Sequence, residues 1–131
     1  MNDKYLNFLE TSQLASVATV TPKGQPVVVP MVFIYMDKNF FLITNKNTKK
    51  IKNIQKNNKI SLAIYSEIGK DHKVVLVSGN AEILSENQNV DKIKNLFLEK
   101  YPFLPMIHSL NLNSEDIVII KITPINIKAW G

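Results

Sequence analysis

Alternation of apolar and polar residues predicts six β-strands, at 14–21, 26–35, 40–44, 59–65, 72–84 and 115–130. Helical spacing of apolar residues predicts helices at 3–11, 48–55 and 89–101, and 102–114 is expected to be a loop with at most one helical turn. Because most connections are short, the strands should pair antiparallel and close on themselves to protect their edges. We therefore expect residues 1–131 to form a single domain, a mainly β barrel of six antiparallel strands with peripheral helices.

Three residues should interrupt regular strand pairing. Pro30 lies inside the second strand and cannot donate a ladder hydrogen bond, so that strand should be bent, bulged or at an edge there, with its backbone free to face a ligand. Gly79 in the fifth strand indicates a bulge or a close backbone approach. Pro124 indicates a bend in the last strand.

Polar side chains crowd the exit of the third strand, where residues 40–54 read FFLITNKNTKKIKNI. Thr44 and Thr48 supply hydroxyls, while Lys49 and Lys50 supply ammonium groups. The helix that follows adds free backbone N–H groups. This combination indicates a phosphate site. The alternative is a helix start capped by Thr48 with a solvated lysine face, which is the commoner explanation in an arbitrary protein.

The net charge and the type of basic residue help to decide between nucleic acid and a small phosphorylated molecule as the ligand. The formal net charge of +5 and the pI of about 9.4 suggest nucleic-acid binding, because clustered cations release counterions from phosphates. However, all 16 basic residues are lysine, so the arginine forks that dominate base readout are missing. We favour a phosphorylated small molecule over nucleic acid. The alternative is a small barrel that binds single strands through lysines and Phe33, Phe40 and Tyr65.

Nothing in the sequence indicates export or a membrane. No apolar run approaches the length of a membrane span, and the first residues, MNDKYLNFLE, lack the basic start and apolar core of a signal peptide. Cysteine is absent, which excludes disulfides, thiolate nucleophiles and cysteine metal sites. We expect a cytoplasmic protein without a membrane partner.

Motifs for catalysis without a cofactor are missing. His72 and His108 stand apart from other metal-ligating residues, so no metal site is predicted. The sequence contains no dinucleotide-binding fingerprint, no P-loop and no hydrolase elbow. If the chain is an enzyme, a cofactor carries the reaction, and no side chain is predicted to be a catalytic acid or base.

Three sequence features occur in order: ATV at 18–20 with GQP at 24–26, FLITN at 41–45 with TKK at 48–50 and NI at 53–54, and the segment 124–130. Together they resemble the pyridoxamine 5′-phosphate oxidase-like family of FMN-binding split barrels. The resemblance covers nearly the whole chain. It implies a six-stranded antiparallel split β-barrel and an obligate homodimer with FMN at the interface. Some relatives bind a deazaflavin or haem instead.

The resemblance also implies roles for individual residues. Those at the strand exit would hold the FMN phosphate, the second strand would line the isoalloxazine ring, and Trp130 would reach the flavin of the partner subunit. The implied cofactor-binding set is Val29, Pro30, Met31, Val32, Phe33, Ile43, Thr44, Thr48, Lys49, Lys50 and Trp130. For Trp130, the alternative is simple packing under the barrel.

Departures from the family pattern bear on the reaction. Val29 and Ile34 stand where true oxidases have arginine and lysine, Val74 stands where they have a flavin-contacting glutamine, and the sequence stops at Gly131 without their basic tail. We therefore do not expect a true pyridoxamine phosphate oxidase. One hypothesis is an FMN-dependent oxidoreductase that passes hydride or electrons between a donor and a small molecule. The other is a non-enzymatic carrier, store or stress-linked sensor.

Overall fold

This computed structural model describes residues 1–69, 71–108 and 114–131, and at residues 107–108 it describes the backbone alone. The described residues form six strands and four helices. The strands are β1 (Leu14–Val20), β2 (Pro26–Met36), β3 (Asn39–Asn45), β4 (Lys59–Tyr65), β5 (Val74–Ile83) and β6 (Ile117–Trp130). The helices are α1 (Asp3–Thr11), α2 (Lys49–Lys56), α3 (Val90–Lys100) and α4 (Leu104–His108).

The strands close into an antiparallel barrel in the order β1-β2-β3-β6-β5-β4. A tight turn at Asp37 and Lys38, both with positive φ, joins β2 to β3 and sets Phe33 opposite Leu42. The barrel confirms the fold expected from the sequence. The short helix α4 is the helical turn allowed for within the expected loop at 102–114; residues 109–113 of that loop lie outside the described residues.

Two apolar clusters hold the barrel together. The interior is filled by alternate strand residues such as Phe33, Leu42 and Val75, all fully buried, and by residues from α1 and α2. A second cluster lies outside the barrel, where Phe97 of α3 and Leu104 of α4 are buried with residues of β2, β3 and β6. Helices α3 and α4 therefore cover one outer side of the barrel.

The bulge expected at Gly79 is present. The pairing of β5 with β6 shifts register between Ser78 and Gly79, and Gly79 lies opposite Pro124. A Cβ at Gly79 would overlap the carbonyl oxygen of Thr123, so only glycine fits this close approach. The irregularity and the close backbone approach expected at Gly79 are thus confirmed, and the register shift leaves Ile125 of β6 without a partner on β5.

Among the helices of the described residues, none has both the length and the apolar character needed to cross a membrane.

Candidate functional site

Strands β2 and β3 separate part-way along their length. Their ladder runs only from the turn to Phe33 and Leu42. Beyond that point, β2 pairs with β1 alone and β3 pairs with β6 alone. Each strand therefore has one unpaired edge facing the gap, and Pro30 lies on the β2 edge, where its missing N–H costs no ladder bond. We call this gap the split groove.

A cavity of about 140 Å³ lies in the split groove. Six of its seven lining residues are Pro30, Met31 and Val32 from β2, Ile43 and Thr44 from β3, and Lys50 from α2. All six belong to the set that the sequence resemblance implied. The seventh is Leu104 of α4, which sequence reasoning missed because nothing in segment 102–114 indicates that it packs beside the groove.

Helix α2 begins at the groove without a side-chain cap. Thr48 occupies the N-cap position, but its side chain makes no capping hydrogen bond. Its hydroxyl instead donates to the carbonyl oxygen of Asn45 at 3.1 Å, and the Asn45 side chain accepts from the backbone N–H of Asn47. The capping role considered for Thr48 is therefore wrong, and among the described residues no side chain caps the N–H groups of the first turn of α2.

Thr44 and Lys50 give the cavity its polar wall. Thr44 is one of the few buried polar residues, 6% exposed, and its hydroxyl takes part in none of the described hydrogen bonds. Lys50 is half-buried, and burial lowers its pKa from the ordinary value. The ion pair found among the described residues joins Lys46 to Asp116, so Lys50 has no carboxylate partner there. An anion in the cavity would relieve the cost of burying this charge.

The remaining residues of the implied set do not line the cavity. The Phe33 side chain is fully buried inside the barrel, and Val29 packs against the same interior cluster. Lys49 is exposed. Trp130 lies at the end of β6 opposite Val74, away from the groove within one chain, and is 47% exposed.

The three aromatic residues considered for stacking on nucleic-acid bases, Phe33, Phe40 and Tyr65, do not form an exposed aromatic surface. Phe33 and Phe40 are each 0% exposed, and only Tyr65 reaches solvent, at 63%. Buried rings cannot stack on bases, so the single-strand alternative is wrong as regards these two residues. Among the described residues, no group of three histidine, aspartate or glutamate side chains is placed to hold a metal ion.

The comparisons with known proteins agree with this geometry. A family model described as pyridoxamine 5′-phosphate oxidase matches residues 1–131. The chain belongs to this family. No curated protein matches the sequence at a significant level.

Solved structures with the same fold are described as proteins with different ligands or activities. The haem storage protein HutZ from Vibrio cholerae has a TM-score of 0.81 at 15% identity, covering 98% of this chain and 92% of that chain. A FAD-binding protein from Mesorhizobium loti has a TM-score of 0.80 at 19% identity, covering 98% and 93%. An F420 reductase has a TM-score of 0.74 at 21% identity, covering 98% of both chains. At these identities the likeness shows the fold alone.

Two residues in the motifs that resemble the oxidase family, Thr19 and Asn53, form a buried polar pair. The Asn53 side-chain amide donates to the Thr19 hydroxyl at 3.2 Å, and the two residues are 6% and 3% exposed. The pair links the middle of α2 to β1. Neither residue lines the groove cavity.

Replacing Thr19 with valine should lower the free energy of unfolding by about 1–3 kcal/mol, because the Asn53 amide loses its buried acceptor while the side-chain volume is kept. Thr123→Val, at an exposed position of β6, is the matched control and should change stability by no more than about 0.5 kcal/mol. Urea unfolding monitored by circular dichroism measures both values. Equal stability of the two variants would show that the pair contributes nothing.

Proposed function

We propose that the chain is an FMN-binding flavoprotein that holds the ribityl phosphate at the start of α2 and the flavin ring along the split groove. The observation that supports this most strongly is the composition of the groove wall. The half-buried Lys50 and the buried residue Thr44 line one cavity, and Lys50 belongs to the first turn of α2, where Thr48 makes no capping hydrogen bond with its side chain. Such donors are the ones that bind a phosphate dianion. Thr48 and Lys49 would contribute from the rim of the same site.

The donor set fits a phosphate, whereas the cavity is small for a complete flavin. About 140 Å³ is well below the roughly 300–1,000 Å³ typical of pockets that enclose a cofactor-sized ligand. One chain therefore supplies only part of the wall. We propose that a second copy of the chain completes it and that Trp130, half-exposed and remote from its own groove, is among the residues the partner contributes.

One outer side of the barrel, which none of the described helices covers, supports this homodimer. Two rows of outward-facing residues run across β2, β1, β4, β5 and β6: Pro30, Ser16, Ala63, Leu76 and Lys128 in one, and Val28, Ala18, Ser61, Ser78 and Asn126 in the other. Lys128 is the only charged residue in either row. Charge-depleted faces with exposed apolar residues, such as Val28 at 64%, are typical of subunit interfaces.

When bound, FMN would supply hydride or electron transfer, and the chain would bind and orient it. We propose an oxidoreductase that acts on a small molecule other than pyridoxamine phosphate, because Val29 and Ile34 are apolar at positions where true oxidases carry basic residues. The half-buried Val29 packs against the barrel interior and offers no cation to a phosphorylated substrate. The cytoplasmic location expected from the sequence stays a prediction.

Two other cofactors known among similar proteins, haem and a deazaflavin, are alternatives. The described lining of the groove contains no histidine to ligate haem iron, which favours a phosphorylated flavin. The absorption spectrum of the purified protein and the mass of its extracted cofactor separate the possibilities. We expect a yellow protein that releases FMN. Release of haem, or of a deazaflavin, would overturn the FMN assignment.

A second experiment separates an enzyme from a carrier. Reduced nicotinamides are added without oxygen to the FMN-loaded protein, and the flavin absorbance near its visible maximum is followed. An oxidoreductase of the proposed kind should bleach with at least one physiological donor. An FMN-loaded protein that no physiological donor bleaches would favour a non-enzymatic carrier or sensor.

A further inference from the structure

A second cavity, of about 530 Å³, adjoins the split groove. Its walls come from the connection between α1 and β1, the middle of β2, the end of α3 and the start of α4. Val32 and Leu104 line both this cavity and the groove cavity. A molecule bound here, in what we call the side pocket, would therefore lie next to whatever occupies the groove.

The side pocket is apolar and open to solvent. Leu14 and Phe103 line it with large side chains that remain 59% and 65% exposed. Such side chains lose unfavourable contact with water when a flat apolar ligand covers them. The volume falls within the range that encloses a small organic molecule. An aromatic ring system is the ligand shape that this wall suits.

One cation, Lys100, stands in this apolar wall. Its Nζ donates to the carbonyl oxygen of Phe33 at 3.3 Å and lies 4.7 Å from the centroid of the Phe33 ring. It also lies 5.3 Å from the Tyr101 ring centroid. The side chain is therefore held in place, and none of the described ion pairs involves it.

The surroundings of Lys100 determine the pKa of its ammonium group. Burial lowers the pKa of Lys100 to about 8, and the carboxylate of Glu10 on α1 opposes this shift. Burial raises the pKa of Tyr101 to about 12, so its hydroxyl stays neutral near pH 7, with its single proton directed toward the carbonyl oxygens of Phe33 and Gln13. Lys100 is thus mostly charged at pH 7, in surroundings that make an unpaired charge costly.

We propose that the side pocket binds a small aromatic carboxylic acid, with its ring on Leu14 and Phe103 and its carboxylate paired with Lys100. A phosphate is a poorer match, because the described lining of the pocket offers a single cation and no serine or threonine hydroxyl. The idea that this acid is a substrate bound beside FMN rests on the function proposed above. The binding of the acid to the side pocket does not depend on that function.

The test uses 2-naphthoate as the probe, titrated by calorimetry into the full chain with and without FMN. Saturable binding is expected, and Lys100→Met, which keeps the apolar stem, should weaken it at least tenfold. Lys100→Arg should restore it. Lys94→Met is the matched control, because Lys94 is on the same helix but lines a different cavity, and it should bind like the unmodified protein.

The pH profile adds a readout that a purely structural role would not change. Affinity should fall as the pH rises from 7 to 9, because Lys100 loses its proton in this range, and Lys100→Arg should abolish the fall. Absence of naphthoate binding, or equal binding by Lys100→Met, would overturn the proposal. FMN titration of the same samples keeps the two proposals apart, since either ligand can bind when the other fails.

Discussion

Replacing Lys50 with methionine is expected to weaken FMN binding by about 1.5–3 kcal/mol, which is roughly a 10- to 150-fold rise in Kd. Lys50 lines the groove cavity, is half-buried and has no carboxylate partner among the described residues. A phosphate would therefore form a charge-assisted contact with it in a partly dry site. Quenching of flavin fluorescence during titration measures the affinity.

Two controls make this result specific to the phosphate. Lys52→Met removes an exposed charge from the same helix and should change the FMN affinity by less than about threefold, since exposed charges contribute little. Riboflavin, which lacks the phosphate, should bind the unmodified protein and Lys50→Met equally. If Lys50→Met binds FMN as tightly as Lys52→Met does, Lys50 does not hold the phosphate.

The second large effect concerns the barrel interior. Phe40→Ala should lower the free energy of unfolding by about 3–5 kcal/mol, because it removes a fully buried ring and leaves a cavity. The Phe40 ring centroid lies 4.8 Å from that of Tyr35 and 6.2 Å from that of Phe33, so aromatic contacts are lost as well. Urea unfolding provides the measurement.

Phe103→Ala is the matched control for Phe40→Ala. Phe103 is 65% exposed, so the same substitution should change stability by no more than about 0.5 kcal/mol. A loss below 1 kcal/mol for Phe40→Ala would mean that the interior cluster does not hold the barrel together as its burial indicates.

The strands and most helices could be predicted from the sequence because local patterns encode them. In β4, burial alternates residue by residue as the apolar pattern requires. Gly79 and Pro124 correctly marked the place where the pairing of β5 with β6 shifts register, since glycine permits a close backbone approach and proline donates no ladder hydrogen bond. The family was also identifiable, and the match to residues 1–131 confirms it.

The opening of the split groove could not be predicted from local pattern. The β2 residues before Phe33 read as an ordinary strand, and only the three-dimensional structure shows that they leave β3 while remaining paired with β1. Pro30 was the single local clue to an unpaired edge. The distinction between Lys49, which is exposed, and Lys50, which lines the cavity, depends on how α2 rests on the barrel.

The side pocket was equally hidden in the sequence. Helix α4 supplies Leu104 to both cavities, but its five residues are too few to produce a helical period. Nothing in the sequence distinguishes Lys100 from the other 15 lysines, because its burial against Phe33 arises from the packing of α3 on the barrel. Long-range contacts of this kind leave no signal in a short window of sequence.

The most direct measurement of cofactor binding is a titration of cofactor-free protein with FMN and, separately, with riboflavin. We predict saturation at one FMN per chain and an affinity for riboflavin at least tenfold lower, because only FMN can engage Lys50, Thr44 and the start of α2. If FMN does not saturate the protein, or if riboflavin binds equally well, the split groove is not an FMN phosphate site.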